Sequence, residues 1–202
     1  MVDHQHRITV YQILSEALKE PSPEFVADLP VMTAALQTAF TAIGYQIPLA
    51  YYHDWAQCAG THSELMQRYF NSFFYPNENR VVPVESIYRQ WTFDETAQVP
   101  FAKEKGYLMS DAALHMKALY SQMGLTIPQE YQSTPDHLCL ELEFAALLLA
   151  EGKLDWYKIF VKDHLTWIGE LHDEAVENRI DRFYRDVIGL TKEFVACEGE
   201  RC

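Results

Sequence analysis

Apolar residues recur along most of the chain at helical spacing, and no segment alternates apolar and polar positions with a period of two. A 3.6-residue period puts the apolar set on one face of a helix, whereas a half-buried strand needs strict alternation. The clearest stripe is Val176, Ile180, Phe183, Val187, Leu190 and Phe194, and it predicts one long helix over about residues 173–196. The fold class expected is all-α, a globular helical bundle with no sheet.

Punctuation along the chain divides that bundle. Val10, Ile13, Leu14, Ala17 and Leu18 share a face of a first helix over about 7–19, stopped by Pro21 and Pro23. Ser22, Pro23 and Glu24 form a helix start, and Gly44 a stop, for a second helix reaching about Ile43. A third helical stretch is expected over 49–59. Thr61-His62-Ser63-Glu64 then has capping-box spacing, starting a helix that carries Leu65, Tyr69 and Phe73 inward. Prolines and the Asn77-Glu78-Asn79 cluster predict a long connection around 76–100, with one short turn near 85–89. A helix over 101–123 ends at Gly124, and a second connection, 125–133, contains Pro128. Thr134, Pro135 and Asp136 read as the capped, dipole-matched start of a helix to Glu151, followed by another over 154–168.

With 202 residues, 49% of them hydrophobic, the chain can bury a core and is expected to form a single domain over 1–202, with a hinge at 125–133. A monomer or a domain-swapped dimer through that hinge fits this layout. The formal charge of -13 argues against nucleic acid and anionic membrane as partners and favours a basic one. Cys58, Cys139, Cys197 and Cys202 make no Cys-x-x-Cys pair, which suits a reducing compartment. A bond or metal between Cys197 and Cys202 has less weight than a frayed tail. The first residues lack the charge and apolar run of a secretory signal, and no segment reads as the roughly 18 apolar residues of a membrane span. The location expected is the cytoplasm.

Catalytic patterns are missing on spacing. The sequence has no phosphate loop, no GxGxxG, no HExxH, no GxSxG and no Glu-x-x-His for a di-iron bundle. His4 and His6 are expected to fray, and His53, His62, His115, His164 and His172 stand singly, so none is assigned as a metal ligand. His137 and Glu141 share a helix face four residues apart, a pair that is common without function. No catalytic residue, cofactor or metal is assigned. A small helical metal- or nucleotide-dependent enzyme is the less favoured alternative.

Three blocks carry a resemblance. Leu65, Gln67-Arg68-Tyr69-Phe70 and Phe73-Phe74 are followed by Val82-Pro83-Val84-Glu85-Ser86-Ile87-Tyr88, and then by Pro135-Asp136-His137-Leu138 with Glu141-Leu142-Glu143-Phe144. In this order they resemble the TorD/DmsD/NarJ redox-enzyme maturation chaperones, from about Ile8 to Ala196; Val84 stands where family members commonly carry an aromatic. The resemblance implies a non-enzymatic chaperone that binds the twin-arginine signal peptide of a molybdoenzyme precursor and delays export until the molybdenum cofactor is inserted. Sulfoxide, amine-oxide, nitrate and sulfur-compound reductases and formate dehydrogenases are all clients of similar proteins. A NarJ-like factor binding a catalytic subunit is the alternative within the family. The family is also associated with guanine nucleotide (GTP), for which no site is assigned. Two arginines and an apolar stretch require carboxylates beside an aromatic groove. Asp136, His137, Glu141, Glu85 and Ser86, with Tyr88, Tyr69, Phe73 and Trp91, are the residues that the resemblance brings forward for it, beside Phe74.

Overall fold

The computed structural model describes residues 2–201. Its helices are α1 (Val2–Ala17), α2 (Pro23–Ile43), α3 (Trp55–Ala59), α4 (His62–Phe73), α5 (Glu85–Tyr88), α6 (Asp111–Gln122), α7 (Leu138–Ala150), α8 (Leu154–His164), α9 (Ile168–Glu177) and α10 (Arg182–Arg201). Two 3-10 turns, Leu49–Tyr51 and Gln129–Tyr131, lie in connections. No strand occurs among the described residues, only an isolated antiparallel bridge between Val84 and His137. The fold is all-α.

α7 is the centre of the packing. Leu138, Cys139, Leu140, Leu142, Phe144, Ala145, Ala146, Leu148 and Leu149 are all buried, on nearly every side of the helix, as a core helix requires. It packs against α1 and α8, while α10 packs against α9, α8 and the 49–51 turn. One apolar cluster runs through these helices from Ile8 to Val195.

Local signals set several boundaries as expected. The Ser22 side chain accepts from the Phe25 N–H at 3.0 Å, Pro23 opens α2, and Gly44 closes it at φ 75°. At α4, Thr61 and Glu64 make the reciprocal capping box, and Leu65, Tyr69 and Phe73 are buried. Other boundaries differ. The 49–59 stretch splits into the 3-10 turn and the five-residue α3. α6 begins at Asp111, so the connection after α5 extends to Ser110, whose hydroxyl caps α6 by accepting from Ala112 N–H. The expected helix over 154–168 ends at His164, and α9 starts at Ile168. The long helix over 173–196 is broken: Arg179 takes φ 53°, Asp181 accepts from Phe183 N–H to start α10, and Val176 is 47% exposed. α7 begins at Leu138, three residues after Pro135.

The termini also differ from expectation. His4 and His6 lie within α1, and Cys197 lies within α10. Arg201 bonds Asp3 at 2.8 Å, and Arg7 bonds Glu198 at 2.8 Å, buried among Tyr157 and Tyr45. Pairing of Cys197 with Cys202 falls outside the described residues. By length and composition α2 is long and apolar enough to cross a membrane, contrary to the sequence expectation, with 28% of its most apolar window buried. Its inward residues Phe25, Leu29, Leu36, Ala39, Phe40 and Ile43 are buried and it packs on α1.

Candidate functional site

The segment 134–138 meets the segment 83–86 edge to edge. Glu85 N–H donates to Asp136 O at 3.0 Å, and Leu138 N–H donates to Pro83 O at 2.9 Å. The Asp136 carboxylate does not serve its own helix. Its Oδ2 accepts from the Ser86 N–H at 2.7 Å and from the Ser86 hydroxyl, so it caps the first turn of α5. Ser86 Oγ in turn accepts from Ser110 N–H at 3.1 Å and bonds the Ser110 hydroxyl at 2.9 Å. The starts of α5, α6 and α7 are thereby tied together through two hydroxyls and one carboxylate.

His137 is the N-cap of α7. Its Nδ1 accepts from Cys139 N–H at 3.3 Å, which requires an unprotonated nitrogen there, and Tyr131 packs on the ring at 5.1 Å. Burial lowers its pKa from 6.5 to about 4. The tautomer that presents the Nδ1 lone pair is the one that caps.

Glu85 and Glu141 approach each other beneath this seam. Glu85 Oε2 faces His164 Nδ1 at 2.7 Å, and its Oε1 accepts from Arg89 Nε at 3.2 Å. His164 Nε2 contacts His115 Nδ1 at 2.8 Å. Glu141 Oε2 accepts from Trp167 Nε1 at 3.1 Å, while Oε1 has no hydrogen-bond partner. Burial, with the charges of Glu85 and Asp136, raises the Glu141 pKa well above its usual value. Burial also raises that of Asp136, against the lowering by its Ser86 bonds. Tyr88 stacks on Trp167 at 5.1 Å and donates its hydroxyl to Glu174.

Sequence reasoning chose residues that the fold sorts into three places. Glu85, Ser86, Asp136 and Glu141 converge, with Tyr88 beside them, but all are buried, Asp136 and Glu141 completely. Tyr69, Phe73 and His137 line a groove of about 810 Å³, together with Phe74, Val82, Pro83, Val84 and Leu140. Trp91 stands elsewhere, packed on Phe101 at 5.0 Å and bonded to Leu108 O.

The carboxylates that do border the groove are Glu20, Glu130 and Glu143, all exposed and none chosen from the sequence. Glu143 bonds Lys19 at 2.6 Å. A signal for it was present. His137, Leu140 and Glu143 follow each other at steps of three along α7, so they share a face, whereas Glu141 is turned to the core.

Helices built around a central apolar α7, with a closed carboxylate cluster on one side and an open aromatic groove on another, define an all-helical protein. Residues 27–173 match the family model described as nitrate reductase delta subunit, and the chain belongs to that family, the NarJ/TorD type of redox-enzyme maturation chaperones. These proteins are maturation factors rather than catalytic enzymes, and their partners are molybdoenzyme subunits. A crystal structure described as a candidate redox enzyme maturation protein from Archaeoglobus fulgidus superposes with a TM-score of 0.54 at 20% identity, covering 92% of this chain and 91% of that one. At that identity the likeness concerns the fold. No curated protein matches the sequence.

Proposed function

We propose that this chaperone acts in the cytoplasm as a single folded unit, holding the twin-arginine signal peptide of a molybdenum-cofactor oxidoreductase precursor until the cofactor is inserted. The observation that carries the reading is the groove at the seam of 82–84 and 137–140. Its floor is apolar and aromatic, from Tyr69, Phe73, Phe74, Val82 and Leu140, and its rim bears Glu20, Glu130 and Glu143. An apolar peptide stretch matches the floor, and guanidinium groups match carboxylates, which they grip with two parallel hydrogen bonds. The chain's charge of -13 adds attraction at a distance.

Tyr69, Phe73 and His137 are contact residues in this reading. Asp136, Ser86, Glu85 and Glu141 act from behind, by fixing the 82–88 segment that walls the groove. Tyr88 and Trp91 are not contacts.

Titration calorimetry with a synthetic twin-arginine signal peptide tests the proposal. One peptide binds per chain, and affinity falls on replacing both arginines by alanine and on raising salt, because screening weakens the rim charges. Phe74→Ala, at a residue 46% exposed, weakens binding by about tenfold while the fold is retained. Absence of binding, or affinity indifferent to both arginines and salt, contradicts it.

One observation favours a second reading. Phe74, which lines the groove, and the nearby Phe70 and Tyr75 are exposed aromatics, 46%, 43% and 81% accessible, and exposed apolar side chains of this kind suit a protein surface. That suits an assembly factor seated on a catalytic subunit. Pull-down of a client lacking its signal peptide separates the two: retention favours the subunit, loss favours the peptide.

A further inference from the structure

The cluster beneath the groove wall contains a combination that the sequence scatters over three helices. Glu85 opens α5, Glu141 lies in the first turn of α7, and His164 ends α8. Each is at most 3% exposed, and one possible ligand atom from each lies within 4.8 Å of the others. We propose that Glu85, Glu141 and His164 bind one divalent transition-metal ion of the zinc or manganese kind. The sequence led to the opposite expectation, since no two of these residues stand at a recognisable ligand spacing.

Four observations carry the proposal. First, Glu141 Oε1 is wholly buried and has no hydrogen-bond partner, and a carboxylate oxygen of Glu141 is among the atoms facing one another across this cluster. A buried polar atom left without a partner is costly, and a cation between the two carboxylates would supply the partner that Glu141 lacks, whereas Glu85 already has Arg89 and His164. Second, the donor set is of the right kind. Once Glu141 gives up its proton, two carboxylates and a neutral imidazole carry charge minus two, against an ion of plus two and the Arg89 guanidinium already paired with Glu85, and this mixed oxygen and nitrogen set is suited to zinc or manganese.

Third, the outer shell is already built. His164 Nε2 bonds His115 Nδ1 at 2.8 Å, which fixes the ring and leaves Nδ1 for the ion. Arg89 holds Glu85 by Oε1 at 3.2 Å, and Trp167 holds Glu141 by Oε2 at 3.1 Å, so each carboxylate keeps one oxygen for the centre. Fourth, a way in exists. An open cavity of about 490 Å³ is lined by Glu85 and His164 together with His115, Asp111 and Asp163, and reaches two of the three residues from the surface.

Binding replaces the proton shared between His164 Nδ1 and Glu85 Oε2, 2.7 Å apart, and the proton that burial and the neighbouring carboxylates hold on Glu141, and both leave to solvent. Ligands at about 2.0–2.1 Å from a tetrahedral ion stand roughly 3.3 Å from each other. The side chains therefore need to move by only about an ångström. The ion would tie α5 to α7 and α8, clamping the wall of the groove from behind. The inference stands on these contacts and does not depend on what the groove binds.

The test uses the full chain stripped of metal by chelation, then titrated with zinc alone in competition with a chromophoric chelator. The expected result is one ion per chain and a rise in melting temperature with zinc. His164→Gln and Glu141→Gln each lower the affinity at least tenfold, while helical circular dichroism stays unchanged. Binding retained undiminished in both folded variants, or no ion bound by the unsubstituted chain, overturns the proposal. Should either variant fail to fold, X-ray absorption at the zinc edge on the unsubstituted protein decides. Oxygen and nitrogen neighbours near 2.0–2.1 Å, including one imidazole, support the site, whereas sulfur near 2.3 Å places the ion on cysteine and refutes it.

Discussion

Ser86 is the hinge pin of the buried network: it donates to Asp136, receives two contacts from Ser110, and sits wholly inside the protein. Ser86→Ala removes these bonds together and leaves one oxygen of a buried carboxylate with a single backbone donor. Urea unfolding should show a loss of about 2 kcal/mol, in the range for stranding a buried polar group. A loss below about 0.5 kcal/mol would mean that the seam is held by backbone contacts alone. His137 makes a pH-dependent contribution of known sign. Its folded pKa, about 4, lies below the ordinary 6.5, so the unfolded chain takes up the proton first. The stabilisation is fully present above pH 6.5 and is lost as pH falls toward 4. His137→Asn keeps a capping side chain without the proton, so between pH 7.5 and 5 the native protein should lose more stability than this variant. Equal losses would show that the cap is not titrating. At this scale the sequence was half legible. Asp136 is plainly a capping carboxylate, but spacing along one chain assigns it to the helix that follows, whereas it caps α5, fifty residues earlier. Only a tertiary contact reveals that.

Helix starts written in local chemistry were readable, and breaks made by packing were not. Ser22-Pro23 and Thr61 to Glu64 announce α2 and α4 because the capping groups lie within three residues of the orphan N–H groups they satisfy. The break between α9 and α10 carries no glycine or proline. It depends on Arg179 in a left-handed conformation and on Asp181 starting a new helix, while the apolar stripe runs on across it and points to one continuous helix. α10 also pays for a close approach. A Cβ at Gly189 would lie 2.6 Å from the Tyr51 ring, so this glycine lets the 49–51 turn press against the helix. Gly189→Ala gains helix propensity but forces that ring aside, and a net destabilisation of about 1–3 kcal/mol is expected in thermal or urea unfolding. A stabilised variant would show that the turn yields freely.

Over the whole molecule, the class of fold follows from apolar periodicity and the family from three ordered sequence blocks, but the division of labour among the chosen residues follows from neither. Glu141 and Glu143 are two positions apart and look equivalent as acidic residues; on α7 they point to opposite environments, one wholly buried and one exposed beside Lys19. In the proposed function, the buried carboxylates shape the groove wall and the exposed rim carboxylates are the ones offered to a basic peptide. Hydrogen exchange of the full chain with and without a twin-arginine signal peptide tests this central claim most directly. Added protection is predicted over residues 69–74, 82–84 and 128–140, the segments that line the groove. Protection confined to other surfaces, such as the exposed Trp156 and Ile159 on α8, or no change at saturating peptide, would contradict it.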